Sequence, residues 1–380
     1  PLTRVMSTVL VCIGQCGNQL GAEYLSHQLA VEPSVVSDAL GNVRAVFVDS
    51  ERKVVQSMCR KYPALRGRVP DANCVTARQG RGNNWAYGYS ASGDEALCAE
   101  RLVDDCIRRV GEQCDYFSGV LLAHSLAGGT GSGLGTRLAE CVRDSLGLQL
   151  LAHCCVLADR DTPLQNYNSL LALSRLAGLA DCMLLYRNSS EASPAQVNES
   201  VASHLSRLLS PCRSLYKSCR LGGNELAELT RSCCPLPGLS LLRTASANDL
   251  PSLLRCRPRP ASTVAAVAVL RSPSGSKIRA PKSADCDALK AYLRPVAYNA
   301  FPVDYWMDSG WGGGGSSLTL AYNSVSVVDW LVPIATKSAA QLSAGAYLHH
   351  YERYLPDARE ALRLASVQFE DLIAGYRSMR

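Results

Sequence analysis

Residues 1–180 alternate between apolar runs and segments with helical spacing, and this alternation limits the possible folds more than any other feature. The runs VMSTVLVCI (5–13), FSGVLLAHS (117–125) and LQLLAHCCVLA (148–158) are rich in hydrophobic residues, and helical spacing follows each of them. Apolar strands that alternate with helices are typical of a parallel sheet covered on both faces. We therefore predict an α/β fold with a doubly wound parallel sheet, whose ligands bind in the loops that follow the strands.

In the rest of the chain, the sequence pattern predicts a smaller α+β domain followed by C-terminal helices. Residues 193–235 have helical spacing, and the stretch 236–260, rich in Pro, Ser and Arg, is interpreted as a connector. STVAAVAVLRS and SSLTLAYNS have strand character with the helix DALKAYLRP between them, and two amphipathic helices follow as a C-terminal hairpin. The predicted units are 1–235 with a core helix, a shortened intermediate domain 236–324, and the C-terminal helices 325–380.

Composition excludes several classes of function. The 17 cysteines are odd in number, form no C-x-x-C pair and have no zinc spacing, which favours a reduced, intracellular protein. The net charge of +6 is scattered along the chain, so a nucleic-acid partner is not expected. No apolar run approaches the roughly 20 residues of a membrane span, so no membrane partner is expected.

Four loops share the character of a phosphate site. GQCGNQ (14–19) and AGGTGSG (127–133) each follow a predicted strand, and QGRGNNWAYG (79–88) precedes a long helix. Backbone N–H groups that glycines expose at helix N-termini bind phosphate, and the acidic loop DSE (49–51) offers oxygen ligands for Mg²⁺. A single loop of this kind is more often tight packing, but the set of four favours a nucleotide. The spacing matches neither G-x-x-x-x-G-K-[ST] nor G-x-G-x-x-G, which argues against a P-loop and a dinucleotide-binding oxidoreductase.

GQCGNQ, GRGNNWAYG and above all AGGTGSG resemble the tubulin family, and the last is similar to its glycine-rich signature. Within the family, the segments CDYFSGVLLAHSLAGGTGSGLGT and AYLHHYERY are most similar to the delta subfamily. The resemblance extends with gaps from Val9 to Tyr376 and is strongest over residues 9–180. It implies the GTP-binding fold of that family, with GTP or GDP and Mg²⁺ as cofactors.

The resemblance implies a role for individual residues. Asp49 and Glu51 match the magnesium-linked acidic loop, and Asn188 and Asn198 match two asparagines that read guanine, whose amides offer donors and acceptors to a purine. Asp161 matches an acidic residue at the ribose. The full set that the resemblance assigns to the nucleotide is Gly14, Gln15, Cys16, Gln19, Asn83, Ser125, Gly128, Gly129, Thr130, Gly131, Asp161, Asn188 and Asn198.

Three departures from the family pattern stand out. Nine residues separate Asn188 from Asn198, fewer than in typical tubulins, and Pro194 stands near the position of the aromatic that stacks on the base. In the inter-subunit loop 222–232, Arg231 occupies the family's catalytic position, and Glu228 stands where an aspartate is usual. A guanidinium is not a general base, so catalysis toward a neighbouring subunit is doubtful. The segment after Pro235 is short where the family has a lateral-contact loop.

The expected function is that of a GTP-binding cytoskeletal protein with slow or partner-dependent hydrolysis. The resemblance implies other tubulins as head-to-tail partners, together with centriole or basal-body proteins. It also implies a place in the cytoplasm and cytoskeleton, at centrioles, basal bodies, cilia or flagella, in forming or maintaining triplet microtubules. The alternative is a non-catalytic, tubulin-like scaffold with weakened nucleotide binding.

Overall fold

Eleven strands form one sheet in the described part of the computed structural model, which covers residues 6–90, 95–114, 116–158, 162–188, 191–215, 221, 225–256, 259–276 and 280–379. The order across the sheet is β3-β2-β1-β4-β5-β6-β8-β11-β9-β10-β7. In chain order the strands are β1 Met6–Ile13, β2 Ala45–Asp49, β3 Cys74–Thr76, β4 Tyr116–Ser125, β5 Leu150–Leu157, β6 Cys182–Arg187, β7 Arg213–Ser214, β8 Leu241–Ala247, β9 Thr263–Pro273, β10 Val303–Trp311 and β11 Ser317–Ser324.

The first seven strands in that order are parallel, and the last four are mixed. β1 lies in the centre of the parallel part, with Leu10 paired to Ala45 of β2 and Val11 paired to Leu122 of β4. β11 is antiparallel to both β8 and β9, and β7 is antiparallel to β10. The predicted α/β class, with a parallel N-terminal sheet and a smaller mixed part, is confirmed.

Helices cover both faces of the sheet. A π-helical segment, Leu102–Arg108, joins the short helices α4 and α5, and a second one, Gly129–Leu134, leads into α6. The helices are α1 Gly14–Val31, α2 Arg52–Lys61, α3 Trp85–Ser90, α4 Ala99–Arg101, α5 Arg109–Glu112, α6 Gly135–Leu146, α7 Gln165–Leu179, α8 Pro194–Leu209, α9 Glu225–Cys233, α10 Leu250–Arg255, α11 Ser283–Leu293, α12 Val328–Ser343, α13 Leu348–Glu352 and α14 Ala358–Arg377.

The continuous apolar character of the central strands follows from burial on both faces. Along β4, Val120 and Leu122 point into the core shared with α6, α7 and α14. Leu121 and Ala123 alternate with them and point into the core shared with α1 and α8. Successive side chains of a strand face opposite sides, so a strand between two helical layers must be apolar at every position. A third, smaller core lies beneath α10 and α11.

The interpretation of 236–260 as a connector is wrong, because this stretch contains β8 and α10. β8 begins with two buried leucines but continues with polar residues that obscure its strand character. Those polar residues are paired with side chains of α8, since Thr244 bonds His204 at 2.8 Å and Arg207 donates to Ser246 at 2.7 Å. Tertiary partners therefore allow polar residues in a strand that packs against a helix.

The patterns also failed to predict β3, β6, β10 and the two-residue β7, while the helical end is close to expectation. The C-terminal hairpin is built from α12 and α14 with the short α13 between them. The predicted boundary at 235/236 falls between α9 and β8, but the sheet crosses it where β6 pairs with β8. The division into three domains remains a prediction. Among the described helices, none is both long and apolar enough to cross a bilayer.

Candidate nucleotide site

The carboxyl ends of β1, β2 and β4 open into a cavity of about 440 Å³. Parallel strands end at one edge of a sheet, so the three following loops converge there, and the loop 80–83 before α3 closes another side. Each predicted nucleotide or metal residue in the described part lines this cavity: Gly14, Gln15, Cys16, Gln19, Asp49, Glu51, Asn83, Ser125, Gly128, Gly129, Thr130, Gly131, Asn188 and Asn198. Asp161 lies outside the described residues. The roles of these residues toward a nucleotide stay predictions.

Several glycines of the stretch 128–133 are required by backbone packing. A Cβ atom on Gly129 would lie 2.6 Å from the carbonyl oxygen of Arg81. One on Gly133 would lie 2.2 Å from the carbonyl oxygen of Trp85. The segment therefore packs directly on the chain around α3, and only glycine allows this approach.

Gly128 leaves room on the cavity side, whereas Gly14 contacts the glycine segment. A Cβ on Gly128 would meet a single atom within 4 Å, the Oδ1 of Asn83 at 3.9 Å. Gly14 has a left-handed φ of +73°, and a Cβ there would lie 3.1 Å from the backbone nitrogen of Gly131. The first turns of α1 and of the segment Gly129–Leu134 thus come together at the cavity. The first N–H groups of a helix have no partner within the helix, so they suit an anionic ligand.

The acidic loop after β2 contributes one buried carboxylate and one exposed carboxylate. Asp49 Oδ1 accepts a hydrogen bond from the backbone N–H of Glu51 at 2.9 Å, and Oδ2 accepts one from Asn18 at 3.3 Å. Burial raises the pKa of Asp49 to about 6, although these hydrogen bonds oppose the shift. The Glu51 side chain is half exposed and lies 2.9 Å from Lys53 Nζ. Both residues line the cavity, and carboxylate oxygens fit the ligand preference of Mg²⁺.

The opposite end of the cavity carries the amide side chains. Asn188 follows β6, and Asn198 lies in the second turn of α8, where its Nδ2 donates to Gln19 Oε1 at 3.5 Å. The short connection turns directly into α8, because the Ser193 hydroxyl caps that helix and Pro194 occupies its first position. Pro194 itself lines the cavity. The two asparagines therefore reach one cavity despite their short spacing, with a proline ring beside them.

A fully buried histidine pair lies on β4 and β5, and His124 stands near the end of β4, shortly before the glycine segment. His124 Nδ1 lies 3.4 Å from the Ser125 carbonyl, which can only accept, so the ring proton is on Nδ1. Its Nε2 then accepts from His153 Nδ1 at 3.0 Å, and Cys155 Sγ lies 3.5 Å from the same Nε2. Burial lowers the pKa of His124 to about 4 and that of His153 well below its usual range. The pair is therefore neutral at pH 7.

Sequence reasoning missed some of the cavity lining: Ile13, Ser50, Val54, Gly80, Arg81 and Gly82. Arg81 is 4% exposed, and its guanidinium lies 4.7 Å from the centroid of the Tyr87 ring. Gly80, Arg81 and Gly82 belong to a loop that the glycine pattern had already singled out.

Glu228 and Arg231 lie on α9 and do not line the cavity. Arg231 Nη1 is 3.0 Å from Glu228 Oε1, and the side chains are 71% and 10% exposed. α8 leads from the cavity toward this region, and its 16 residues span about 24 Å. The pair therefore belongs to a surface separate from the nucleotide cavity of the same chain.

Comparison with known proteins agrees with this fold and cavity. Residues 7–192 match the family model described as Tubulin/FtsZ family, GTPase domain. This part of the chain is therefore similar to the GTPase domain of the Tubulin/FtsZ family.

Tubulin delta chains match a larger share of this chain than a tubulin beta chain does. The tubulin delta chain of Macaca fascicularis is 30% identical over 275 residues, which cover 62% of this chain and 60% of the relative. The tubulin delta chain of Homo sapiens is 31% identical with the same coverage. A nucleomorph tubulin beta chain of Guillardia theta is 34% identical over 200 residues, or 46% of this chain and 44% of the relative. The chain thus matches about three fifths of the length of these delta chains.

Proposed function

We propose that this protein is a delta-type tubulin that binds GTP or GDP in the cavity at the carboxyl ends of β1, β2 and β4. The observation that carries the proposal is the convergence of four separate loops on one cavity within a Tubulin/FtsZ GTPase domain. A cavity of about 440 Å³ is within the range of small-molecule sites.

At the phosphate end, most contacts with the nucleotide come from backbone N–H groups. The N–H groups of residues 14–16 and 128–131 donate to the phosphates, and the helix dipoles of α1 and of the glycine segment favour the negative charge. Asp49 and Glu51 hold Mg²⁺ directly or through water, and the ion neutralises phosphate charge. Asn83 closes over the terminal phosphate. Because backbone N–H groups, helix dipoles and Mg²⁺ meet the phosphate charge, the glycine loop needs no lysine.

The base end supplies specificity. Asn188 and Asn198 hydrogen-bond the edge of guanine, with Gln19 beside them. Their amides offer both donors and acceptors, so a purine with a different edge leaves buried polar atoms unpaired. Asp161 contacts the ribose in this proposal, on the basis of the family resemblance alone.

The nucleotide content of the purified protein tests the proposal. We expect denatured protein, separated by anion exchange, to release GTP or GDP close to one per chain. After extraction of nucleotide, mant-GTP and mant-GDP should bind, and mant-ATP should bind much more weakly. Stoichiometric release of ATP, NAD or FAD, or neither release nor rebinding of a guanine nucleotide, would overturn it.

A second candidate is a tubulin-like scaffold with weakened nucleotide binding, and Pro194 favours it. A proline ring in the wall gives less stacking area than an aromatic ring, and loss of a base–aromatic contact costs about 1–3 kcal/mol. Substitution of Pro194 by Tyr should then tighten mant-GTP binding. If the wild-type protein rebinds no guanine nucleotide but P194Y does, the scaffold reading is favoured.

Within the cell, we propose a cytoskeletal role at centrioles or basal bodies, including those of cilia and flagella, in forming or maintaining triplet microtubules. Similarity to tubulin delta chains supports this role, and other tubulins are the proposed head-to-tail partners. A fluorescent fusion expressed in ciliated cells should overlap a centriole marker. An even cytoplasmic distribution in those cells would contradict the localisation.

A further inference from the structure

One buried amide connects the two loops that face the phosphate end of the cavity. Asn168 on α7 is fully buried, and its Nδ2 donates to the carbonyl of Asn83 at 2.7 Å and to the carbonyl of Ala127 at 2.6 Å. Its Oδ1 accepts from the backbone N–H of Trp85 at 2.8 Å. Asn168 thus bonds the loop before α3, the first residue of α3 and the glycine loop.

The fourth hydrogen bond of Asn168 comes from the C-terminal helical region. Tyr351 on α13 is fully buried, and its hydroxyl donates to Asn168 Oδ1 at 2.6 Å. An amide has two donor hydrogens and an acceptor oxygen with two lone pairs, so all four sites of Asn168 are used. The Trp85 N–H can only donate and the two carbonyls can only accept, so these partners fix the orientation of the amide. The Tyr351 hydroxyl, which also lies 3.1 Å from the Leu164 carbonyl oxygen, adds the second bond to Oδ1 and holds the amide in that place.

Two more contacts tie the same C-terminal region to the residue before α3 and to α3 itself. Asn84 Nδ2 donates to the carbonyl of His350 at 2.7 Å. The rings of Tyr87 and Tyr354 are stacked, with centroids 4.3 Å apart and planes 10° from parallel. The segment 83–87 is therefore attached to the C-terminal region from both its beginning and its end.

We infer that Asn168 and Tyr351 are positioning residues for the nucleotide site, and that the C-terminal region around α13 controls how long a nucleotide is retained. Neither side chain is among those that line the cavity, so both act through the backbone of Asn83 and Ala127. Loosening this network lets the two loops separate. This inference rests on the proposed function for its nucleotide readout.

Two tyrosine variants test the inference with a close control. Tyr351→Phe removes the hydroxyl bonded to Asn168 and keeps the ring. Tyr167→Phe removes a hydroxyl that bonds the Ala346 carbonyl at 3.2 Å, also between α7 and the C-terminal region but away from Asn168. The Tyr167 and Tyr351 rings pack edge to face, so the two variants remove one oxygen from the same aromatic pair.

We expect Tyr351→Phe to raise the dissociation rate of mant-GTP about threefold to tenfold, the effect of one lost hydrogen bond. Tyr167→Phe should stay within about twofold of the wild type. Asn168→Asp, which keeps the oxygen acceptor but loses both N–H donors, should have a larger effect than Tyr351→Phe. Equal dissociation rates in wild type and Tyr351→Phe, or equal increases in the two tyrosine variants, would overturn the inference.

Amide hydrogen exchange separates this inference from the proposed function. In nucleotide-free protein, Tyr351→Phe should speed exchange in both 82–88 and 126–130, and Tyr167→Phe should not. If the wild type binds no guanine nucleotide but this exchange pattern is found, the proposed function fails and the loop coupling stands. If guanine nucleotide binds and exchange in the two segments is unchanged by Tyr351→Phe, the inference fails alone.

Discussion

Ser50 Oγ and Thr130 Oγ1 lie 2.8 Å apart, so one bond between hydroxyl groups joins the loop after β2 to the glycine loop after β4. Ser50 stands between Asp49 and Glu51, the two candidate cation ligands. Thr130 stands within the candidate phosphate cradle. The bond therefore sets the distance between the carboxylates and the backbone amides that the proposed nucleotide site requires.

Replacement by alanine should reduce stability at Gly129 and weaken nucleotide binding at Gly128. Gly129→Ala forces a Cβ to within 2.6 Å of a backbone oxygen, so we expect a loss of about 1–3 kcal/mol in the free energy of unfolding. The Cβ added in Gly128→Ala has a single atom within 4 Å, the Oδ1 of Asn83 at 3.9 Å. This variant should therefore change that free energy by less than about 0.5 kcal/mol. Its methyl group should still push the phosphate from a backbone amide and weaken mant-GTP binding about tenfold, or ~1.4 kcal/mol.

Urea unfolding and mant-GTP titration of both variants check this pair. The Ala variant at the adjacent position serves as the control in each assay. Unchanged GTP affinity in a stable Gly128→Ala protein would contradict the assignment of Gly128 to the phosphate cradle.

The buried histidines should make the protein less stable in mild acid. The unfolded chain titrates histidine near a pKa of about 6.5, whereas the pKa of His124 in the folded protein is about 4 and that of His153 is well below its usual range. Between pH 6.5 and 4 the unfolded state binds more protons, so the free energy of unfolding falls as pH falls. Each such histidine contributes up to about 1.4 kcal/mol per pH unit, and nothing further above pH 7.

His153→Phe should reduce this dependence, because it removes one of the two groups. We expect the loss of unfolding free energy between pH 7 and pH 5.5 to be about 1 kcal/mol smaller than in the wild type. Identical pH profiles for the wild type and His153→Phe would show that burial of His153 does not govern its protonation.

Arg231 should prevent this protein from completing the active site of a neighbouring tubulin. Arg231→Glu supplies a carboxylate at that position, so GTP turnover in mixtures with alpha/beta-tubulin should rise at least about tenfold if a general base was missing. Arg231→Gln breaks the same contact with Glu228 without supplying a carboxylate, and it should not raise turnover. Equal turnover in all three proteins would mean that this position does not limit hydrolysis.

Arg271 should be among the most sensitive positions for stability. Its fully buried guanidinium donates to the carbonyls of Arg207, Ser210 and Pro211 and lies 2.9 Å from Asp308 Oδ2, which joins β9 and β10 to the end of α8. Arg271→Met leaves these carbonyls and a carboxylate without their donor, and we expect a loss of about 3–5 kcal/mol.

Asp308→Asn is the matched comparison, since it removes one charge and keeps the three carbonyl bonds. It should cost about 1–2 kcal/mol less than Arg271→Met in urea unfolding at pH 7. A larger loss in Asp308→Asn than in Arg271→Met would mean that the ion pair, and not the carbonyl contacts, holds this junction.

Local pattern was sufficient for the central parallel strands β1, β4 and β5 and for most of the cavity lining. Gly14, Asp49 and Ser125 could be predicted because strand ends in a parallel sheet must meet, so their loops are functional by position. β8 was missed because Arg243 and Thr244 are polar, and their partners lie on other elements. Arg243 is buried with its guanidinium 4.2 Å from the Trp330 ring centroid, a contact across 87 positions of sequence. The role of Asn168 was missed because its hydrogen-bond partners also lie on other elements.

Both outer strands of the sheet are very short, since β3 has three residues and β7 has two. An edge of this length offers few unpaired backbone groups to another chain. Two copies therefore have little opportunity to join their sheets into a longer ribbon. In the proposed assembly with other tubulins, the contacts therefore come from the loops at the strand ends and from the helical faces.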